Sequence, residues 1–156
     1  MTDRFPTTTP SFSPGCPDYV QRVRDSFARQ AFMTALGARV ADVAPGAVDL
    51  ELPFRADLTQ QNGFLHAGVT AALADSAAGY AAYSLMPPDS DVLSIEFKHN
   101  LLSPAVGSLF RAHGRVLRAG RQIVVVQASV VAALDDDTEK TVALMQATMM
   151  QVRRDG

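Results

Sequence analysis

The sequence holds one cysteine, Cys16, and it stands in a Pro-rich stretch, so neither a disulfide framework nor a cysteine-based metal site can be built. That usage fits a reducing compartment, and the chain reads as cytoplasmic. It also lacks the run of about 20 apolar residues that a membrane span requires. The most apolar stretch, Ala67 to Met86, is mostly Ala and Gly and carries Asp75. No basic excess is present: the formal net charge is −2 and the pI is near 5.8, so binding to a phosphate backbone is not expected. Met1 to Pro17 lacks the basic and continuous apolar regions of a secretory signal and reads as a loose, flexible tail. Also missing are a G-x-S-x-G elbow, an H-E-x-x-H helix, a Walker loop and a G-x-G-x-x-G turn. His66, His99 and His113 are too scattered for a metal cluster, so neither metal nor cofactor is expected.

What is present describes a globular domain. Hydrophobic residues make up 47% of the 156 and charged ones 19%, which suits one domain with one sizeable core over residues 18–152. Asp18 is placed to cap a helix in which Val20, Val23, Phe27 and Ala31 recur at helical spacing. Phe32, Met33 and Leu36 prolong its apolar contacts until Gly37 stops it. Residues 38–44 and 47–54 then read as a hairpin turned by Ala44-Pro45-Gly46. In its second strand Val48, Leu50, Leu52 and Phe54 alternate with polar residues, so one face is buried.

From Ala67 to about Leu85 the period changes to an Ala-rich helix that is apolar all round, which implies burial on every side, and Pro87-Pro88 ends it. Leu93, Ile95 and Phe97 alternate again, and further strands are expected over 108–118, 121–134 and 139–152, with Asp135-Asp136-Asp137 as a turn. The last segment, with Leu144, Met145, Met149 and Met150, has a helix-like composition. Strand runs flanking one apolar helix mean an α+β domain with a mostly antiparallel sheet curved around that helix.

Chemistry concentrates before and within the central helix. A helix start leaves backbone N–H groups unpaired at the positive end of its dipole, here those of Ala67 and Gly68. Small side chains would let a ligand carbonyl approach, and such donors stabilise the oxyanion formed on attack at a thioester. Gly and Ala at a helix start also serve packing alone. Asp75 is more pointed, because carboxylates are almost never buried without a partner. It either pairs with a neighbouring element or acts as a general base or nucleophile, with desolvation raising its pKa. At about 1.5 Å per residue, Asp75 lies roughly 13 Å along the axis from His66, too far to serve its own helix start. Two such helices packed antiparallel about a twofold axis would bring each carboxylate to the other's amides, which implies a dimer. His66 is expected to cap the helix or orient its loop, while Asn62, Gln60 and Gln61 either hold water or the thioester oxygen or lie on the surface.

At these residues the sequence resembles the PaaI-type branch of the hotdog-fold thioesterases. The matching pieces are Gly63, His66-Ala67-Gly68 and Leu73-Ala74-Asp75, followed by Ser94-Ile95-Glu96-Phe97, Leu101-Leu102-Ser103-Pro104-Ala105 and Arg118-Ala119-Gly120-Arg121, over roughly residues 30–152. The resemblance implies hydrolysis of acyl-CoA thioesters without metal or cofactor, by a dimer often paired into a tetramer. It implies Asp75 as the catalytic carboxylate, the Ala67 N–H as the group polarising the carbonyl, and Ser94 as an aid in placing water. Leu101, Leu102, Ser103, Pro104 and Ala105, with Arg118, Ala119, Gly120, Arg121, Gln122 and Ile123, match segments that contact CoA. Ala67 replaces the family's usual first Gly, and Gln60 its usual Asn, while Asn62 sits four residues before the His. A non-catalytic acyl-CoA-binding or sensing protein is the alternative, and a hotdog dehydratase fits the His66-to-Asp75 spacing poorly. Aryl and medium aliphatic acyl groups both remain open.

Overall fold

The computed structural model describes residues 11–134 and 138–153. Two short helices, α1 (Tyr19–Ala28) and α2 (Ala31–Leu36), precede the hairpin β1 (Arg39–Ala44) and β2 (Ala47–Pro53). The long helix α3 (Ala67–Tyr83) follows, then β3 (Ser90–Leu101), β4 (Leu109–Ala119), β5 (Ile123–Ala133) and β6 (Glu139–Arg153). The six strands form one antiparallel sheet in the order β1-β2-β4-β5-β6-β3, wrapped around α3. This is the α+β architecture expected, with the hairpin, the central helix and the later strands in their anticipated order. The expected Asp135-Asp136-Asp137 turn lies outside the described residues.

Why the sheet sits so close to α3 is written in the residues between them. Ala74, Ala77, Ala78, Ala81 and Ala82 are fully buried, and their small side chains let strands approach the helix backbone. The tightest point is Gly114 on β4, where an added Cβ would lie 2.2 Å from the Ala77 carbonyl oxygen. Burial alternates along β5 and along most of β4 and β6, with Phe110, Ala112, Val126, Val130, Met145, Ala147 and Met149 turned inward. That alternation, with partners on both sides, makes β6 a strand despite its methionine-rich composition.

Several expectations are corrected. The first helix is two helices. After Val23 and Phe27, helical spacing would carry the buried stripe onto Gln30 and Thr34, which are polar, so the chain breaks at Gln30 (φ −76, ψ 98). The break turns Met33 and Leu36 inward and leaves Ala31 and Phe32 exposed. Gly37 (φ 81) ends α2 in the left-handed conformation, as a helix stop should. Asp18 stands at the N-cap position of α1 but its side chain makes no capping hydrogen bond. Phe54 falls just beyond β2 and is exposed rather than part of the inward row.

Residues 11–17 are not a loose tail either. Gly15 N–H bonds the Ser84 carbonyl at 3.0 Å, Phe12 lies against Gly46, and Cys16 is buried. Finally, β3 is an edge strand, and a bulge at Ile95, between Ser94 and Glu96, breaks its alternation. Leu93, Ile95 and Phe97 are all exposed.

Candidate active site

The first turn of α3 is organised by His66. Its backbone is extended (φ −62, ψ 138), and its Nδ1 accepts the Gly68 N–H at 2.9 Å, so His66 caps the helix. The His66 carbonyl oxygen takes the Val69 and Thr70 N–H groups at 2.9 and 3.3 Å. Of the two donors anticipated at this helix start, Gly68 is therefore already engaged. The Ala67 N–H has no partner among the described residues and lies at the positive end of the dipole.

One turn further, the Thr70 hydroxyl donates to the Ala67 carbonyl at 2.9 Å and meets His99 Nε2 at 3.2 Å. With the hydroxyl proton so used, His99 Nε2 is the donor, which leaves its buried Nδ1 as an unpartnered acceptor. Burial lowers the His99 pKa, so the ring is held neutral.

Asp75 lies two turns into α3 on a strip that the sheet does not cover. Gly68 is exposed, and Ala71, Ala72, Asp75 and Ser76 are half-buried, so the helix is not enclosed on every side as expected. Because Asp75 is only half-buried, deep desolvation is not its setting. Its partner is Ser94 on β3, whose Oγ donates to Asp75 Oδ1 at 2.7 Å and lies 3.3 Å from Met149 Sδ. The Ile95 bulge follows directly after Ser94, so its inward aim is fixed before the strand shifts register.

Asp75 and Ser94 open into a cavity of about 630 Å3 between α3, β3 and the N-terminal helices. Its far wall carries Tyr80, Ser26 and Gln30, with Arg29 and Phe32 beside them, none of which the sequence had marked as a site residue. Arg22 locks this wall in place. Its guanidinium stacks 3.9 Å from the Tyr83 ring centroid and donates to the Met86 and Ser90 carbonyls, both at 2.7 Å.

The other anticipated residues fall into two further groups. Gln60, Ala67, Leu101, Ser103, Pro104 and Ala105 line a smaller cavity of about 140 Å3 at the helix start. Gln60 Oε1 accepts the Asn62 N–H, which draws that amide into its own loop, and Asn62 itself is exposed. Leu102, next to Leu101, is exposed. Arg118, Ala119, Gly120, Arg121, Gln122 and Ile123 surround the turn between β4 and β5, at the end of the sheet where Val124 pairs with Met149 and Met149 with Ser94. There Arg121 and Gln122 join Gln151 and Arg153 around a polar hollow of about 350 Å3. Among the described residues no group of three His, Cys, Asp or Glu could hold a metal ion, and no helix is long and apolar enough to cross a membrane.

This geometry can be set beside known proteins. The family model described as the thioesterase superfamily matches residues 62–138, the stretch from the helix-start loop through β5. A thioesterase family protein from Silicibacter pomeroyi has a solved structure that superposes with a TM-score of 0.85 at 47% identity, covering 87% of this chain and 99% of that one. The chain belongs to the thioesterase superfamily. Its fold is accordingly the hotdog. Among curated superfamily relatives, a protein of Halobacterium salinarum named as a putative esterase is 33% identical over 79% of this chain and 85% of its own length. A 1,4-dihydroxy-2-naphthoyl-CoA hydrolase of Listeria monocytogenes is 26% identical over 73% of this chain and 89% of its own.

Proposed function

We propose that this protein hydrolyses acyl-CoA thioesters to the free acid and CoA, without metal or cofactor, in sites shared between two protomers. The observation that carries the reading is Asp75, a carboxylate on an otherwise apolar helix, oriented by Ser94 and facing a cavity large enough for an acyl group. A carboxylate so placed can take a proton from an attacking water, or attack the thioester carbon itself and leave an anhydride for water to open. In both routes a C–O bond forms, the C–S bond breaks, and CoA departs with the sulfur. Both pass through an oxyanion that needs a preorganised donor.

That donor is the Ala67 N–H of the partner subunit. Within one protomer Ala67 and Asp75 are eight residues apart, about 12 Å along the helix, so one chain cannot bring both to one carbonyl. The exposed edge strand β3 supports the pairing. It presents Leu93, Ile95 and Phe97 to solvent, and unpaired apolar edges of this kind are templates for a second chain. Asp75 and Ser94 stand near one end of β3, and Ala67, Thr70 and His99 near the other. Antiparallel pairing of two β3 edges about a twofold through the strand's middle carries each Asp75 toward the partner's Ala67. The CoA arm then passes Leu101, Leu102, Ser103, Pro104 and Ala105, with Gln60 beside them, and ends near the Arg118 and Arg121 guanidinium groups, which suit its phosphates.

The test is thiol release from a panel of acyl-CoAs by the wild-type chain and Asp75→Asn, together with the mass in solution. Turnover should fall about 10³-fold in the variant with its melting temperature preserved, and the active species should be a dimer or a dimer of dimers. Equal turnover removes Asp75 from the mechanism, and an active monomer removes the shared site. Tight acyl-CoA binding with no release from any thioester would instead establish the binding alternative.

A further inference from the structure

We infer that Thr70 and His99 are positioning residues that aim the Ala67 N–H, the group assigned above to polarising the thioester carbonyl. This rests on the thioesterase reading and adds to it what holds the donor in place. The pair is costly where it stands. Thr70 is buried, and on the side of β3 that faces α3 the neighbours of His99 are Phe97 and Leu101, opposite Ala147 and Ala143 of β6. His99 Nδ1 is buried with no partner among the described residues. Two apolar side chains would fill this space without stranding an acceptor, so packing alone does not account for the pair.

Its contacts converge on the two peptide units that meet at Ala67. The Thr70 N–H donates to the His66 carbonyl at 3.3 Å, and its hydroxyl donates to the Ala67 carbonyl at 2.9 Å. His66 Nδ1 holds the second unit from its other end through the Gly68 N–H. Because each unit is planar, fixing its carbonyl fixes its N–H, and the Ala67 N–H shares a plane with the His66 carbonyl. Thr70 therefore governs the donor from both sides.

His99 decides which carbonyl the Thr70 hydroxyl takes. A helical threonine divides its χ1 between two rotamers, since its hydroxyl can reach carbonyls three or four residues back. Here those belong to Ala67 and His66. Donation from His99 Nε2, 3.2 Å from Oγ1, favours the rotamer bonded to Ala67. Without it the hydroxyl is free to turn to the His66 carbonyl and pull on the unit that carries the donor. One strand thus serves both ends of the chemistry on α3, with Ser94 of β3 holding Asp75 and His99 of β3 holding the amide.

An oxyanion donor acts in the transition state, so loss of its aim lowers kcat and leaves KM in place. The experiment measures both, with the melting temperature, on the acyl-CoA that the wild type hydrolyses fastest. His99→Leu and Thr70→Val should each lower kcat about tenfold with KM unchanged. The double variant should be no slower than the slower single, because both break one chain of hydrogen bonds. His99→Gln, whose amide N–H stands in for the Nε2–H, should restore kcat to within about twofold of the wild type. Unchanged kcat in either apolar variant, a change confined to KM, losses that multiply in the double variant, or no recovery with Gln overturns the inference while the thioesterase reading stands. Should either apolar variant fail to fold, His99→Asn carries the test, since its shorter side chain stops short of Thr70 and the same loss in kcat is expected. If the wild type releases thiol from no acyl-CoA, the thioesterase reading fails first. Proton–nitrogen correlation spectra then decide the role of the pair. The Ala67 and Gly68 amide signals should move in His99→Leu and Thr70→Val and return in His99→Gln, and signals that stay in place count against it.

Discussion

The two sides of α3 are made of the same small residues and do opposite work. On the side facing β4 and β5, Ala77, Ala78 and Ala81 are fully buried, and the helix comes so near that Gly114 has no room for a side chain. On the other side Gly68, Ala71 and Ala72 remain accessible, and the strip they form carries Asp75. Small residues shorten a distance in both cases. On the closed side the distance is to the chain's own sheet, and the gain is packing. On the open side nothing among the described residues fills it, so smallness leaves room for a substrate and a second copy.

The largest effects should come from making both sides bulky. Ala77→Leu adds a branched chain where the fold has no space, and overpacking of this kind costs up to about 3 kcal/mol. Ala72→Leu, on the cavity wall, should leave denaturant stability within about 0.5 kcal/mol while lowering kcat/KM about tenfold by crowding the acyl group. Urea unfolding and thiol release on the two variants check this. Comparable stability losses would mean that the open side is packed after all.

A smaller effect separates the carboxylate from its support. Ser94→Ala removes the 2.7 Å hydrogen bond that orients Asp75 and leaves the acid in place. The expected loss in kcat is about tenfold, far less than that from Asp75→Asn, since the reacting group remains. A loss equal to that of Asp75→Asn would make Ser94 a direct participant and not a positioning residue. Smaller again is His66→Ala. It deletes the cap on Gly68 and should cost about 1 kcal/mol of stability.

The division between the two sides also marks what could be read from residues alone. Period-two alternation disclosed β2, a β-branched run at Ile123 to Val126 disclosed β5, and an apolar segment interrupted by one carboxylate disclosed both α3 and Asp75, because these signals are local. The His66 cap was legible for the same reason. Three features were not. The break between α1 and α2 depends on where Gln30 and Thr34 would fall against the core, which periodicity registers only once the stripe is followed past Phe27. The bulge at Ile95 is a property of pairing with β6 and leaves no local trace. The Tyr80, Ser26 and Gln30 cluster is built by α1 and its junction with α2 folding across α3, a contact between residues about fifty positions apart. Burial of Asp75 was overstated because an Ala-rich helix looks alike whether its uncovered strip meets the chain's own sheet or open solvent.

The finest probe of the open side is pH. His99 meets Thr70 at the amide end of α3, and burial lowers its pKa from the ordinary 6.5. A histidine whose folded pKa is depressed stabilises the fold fully above its unfolded value. Below that value the unfolded chain takes up a proton that the folded chain still refuses, so stability falls with acidification until the folded pKa is passed. The wild type should therefore melt at a lower temperature at pH 5.5 than at pH 7.5, and His99→Gln should lose less over the same interval because no ring remains to titrate. Thermal unfolding at the two pH values measures this. If variant and wild type lose equally, the acid sensitivity arises elsewhere, and the neutral imidazole facing Thr70 is not what the helix start depends on.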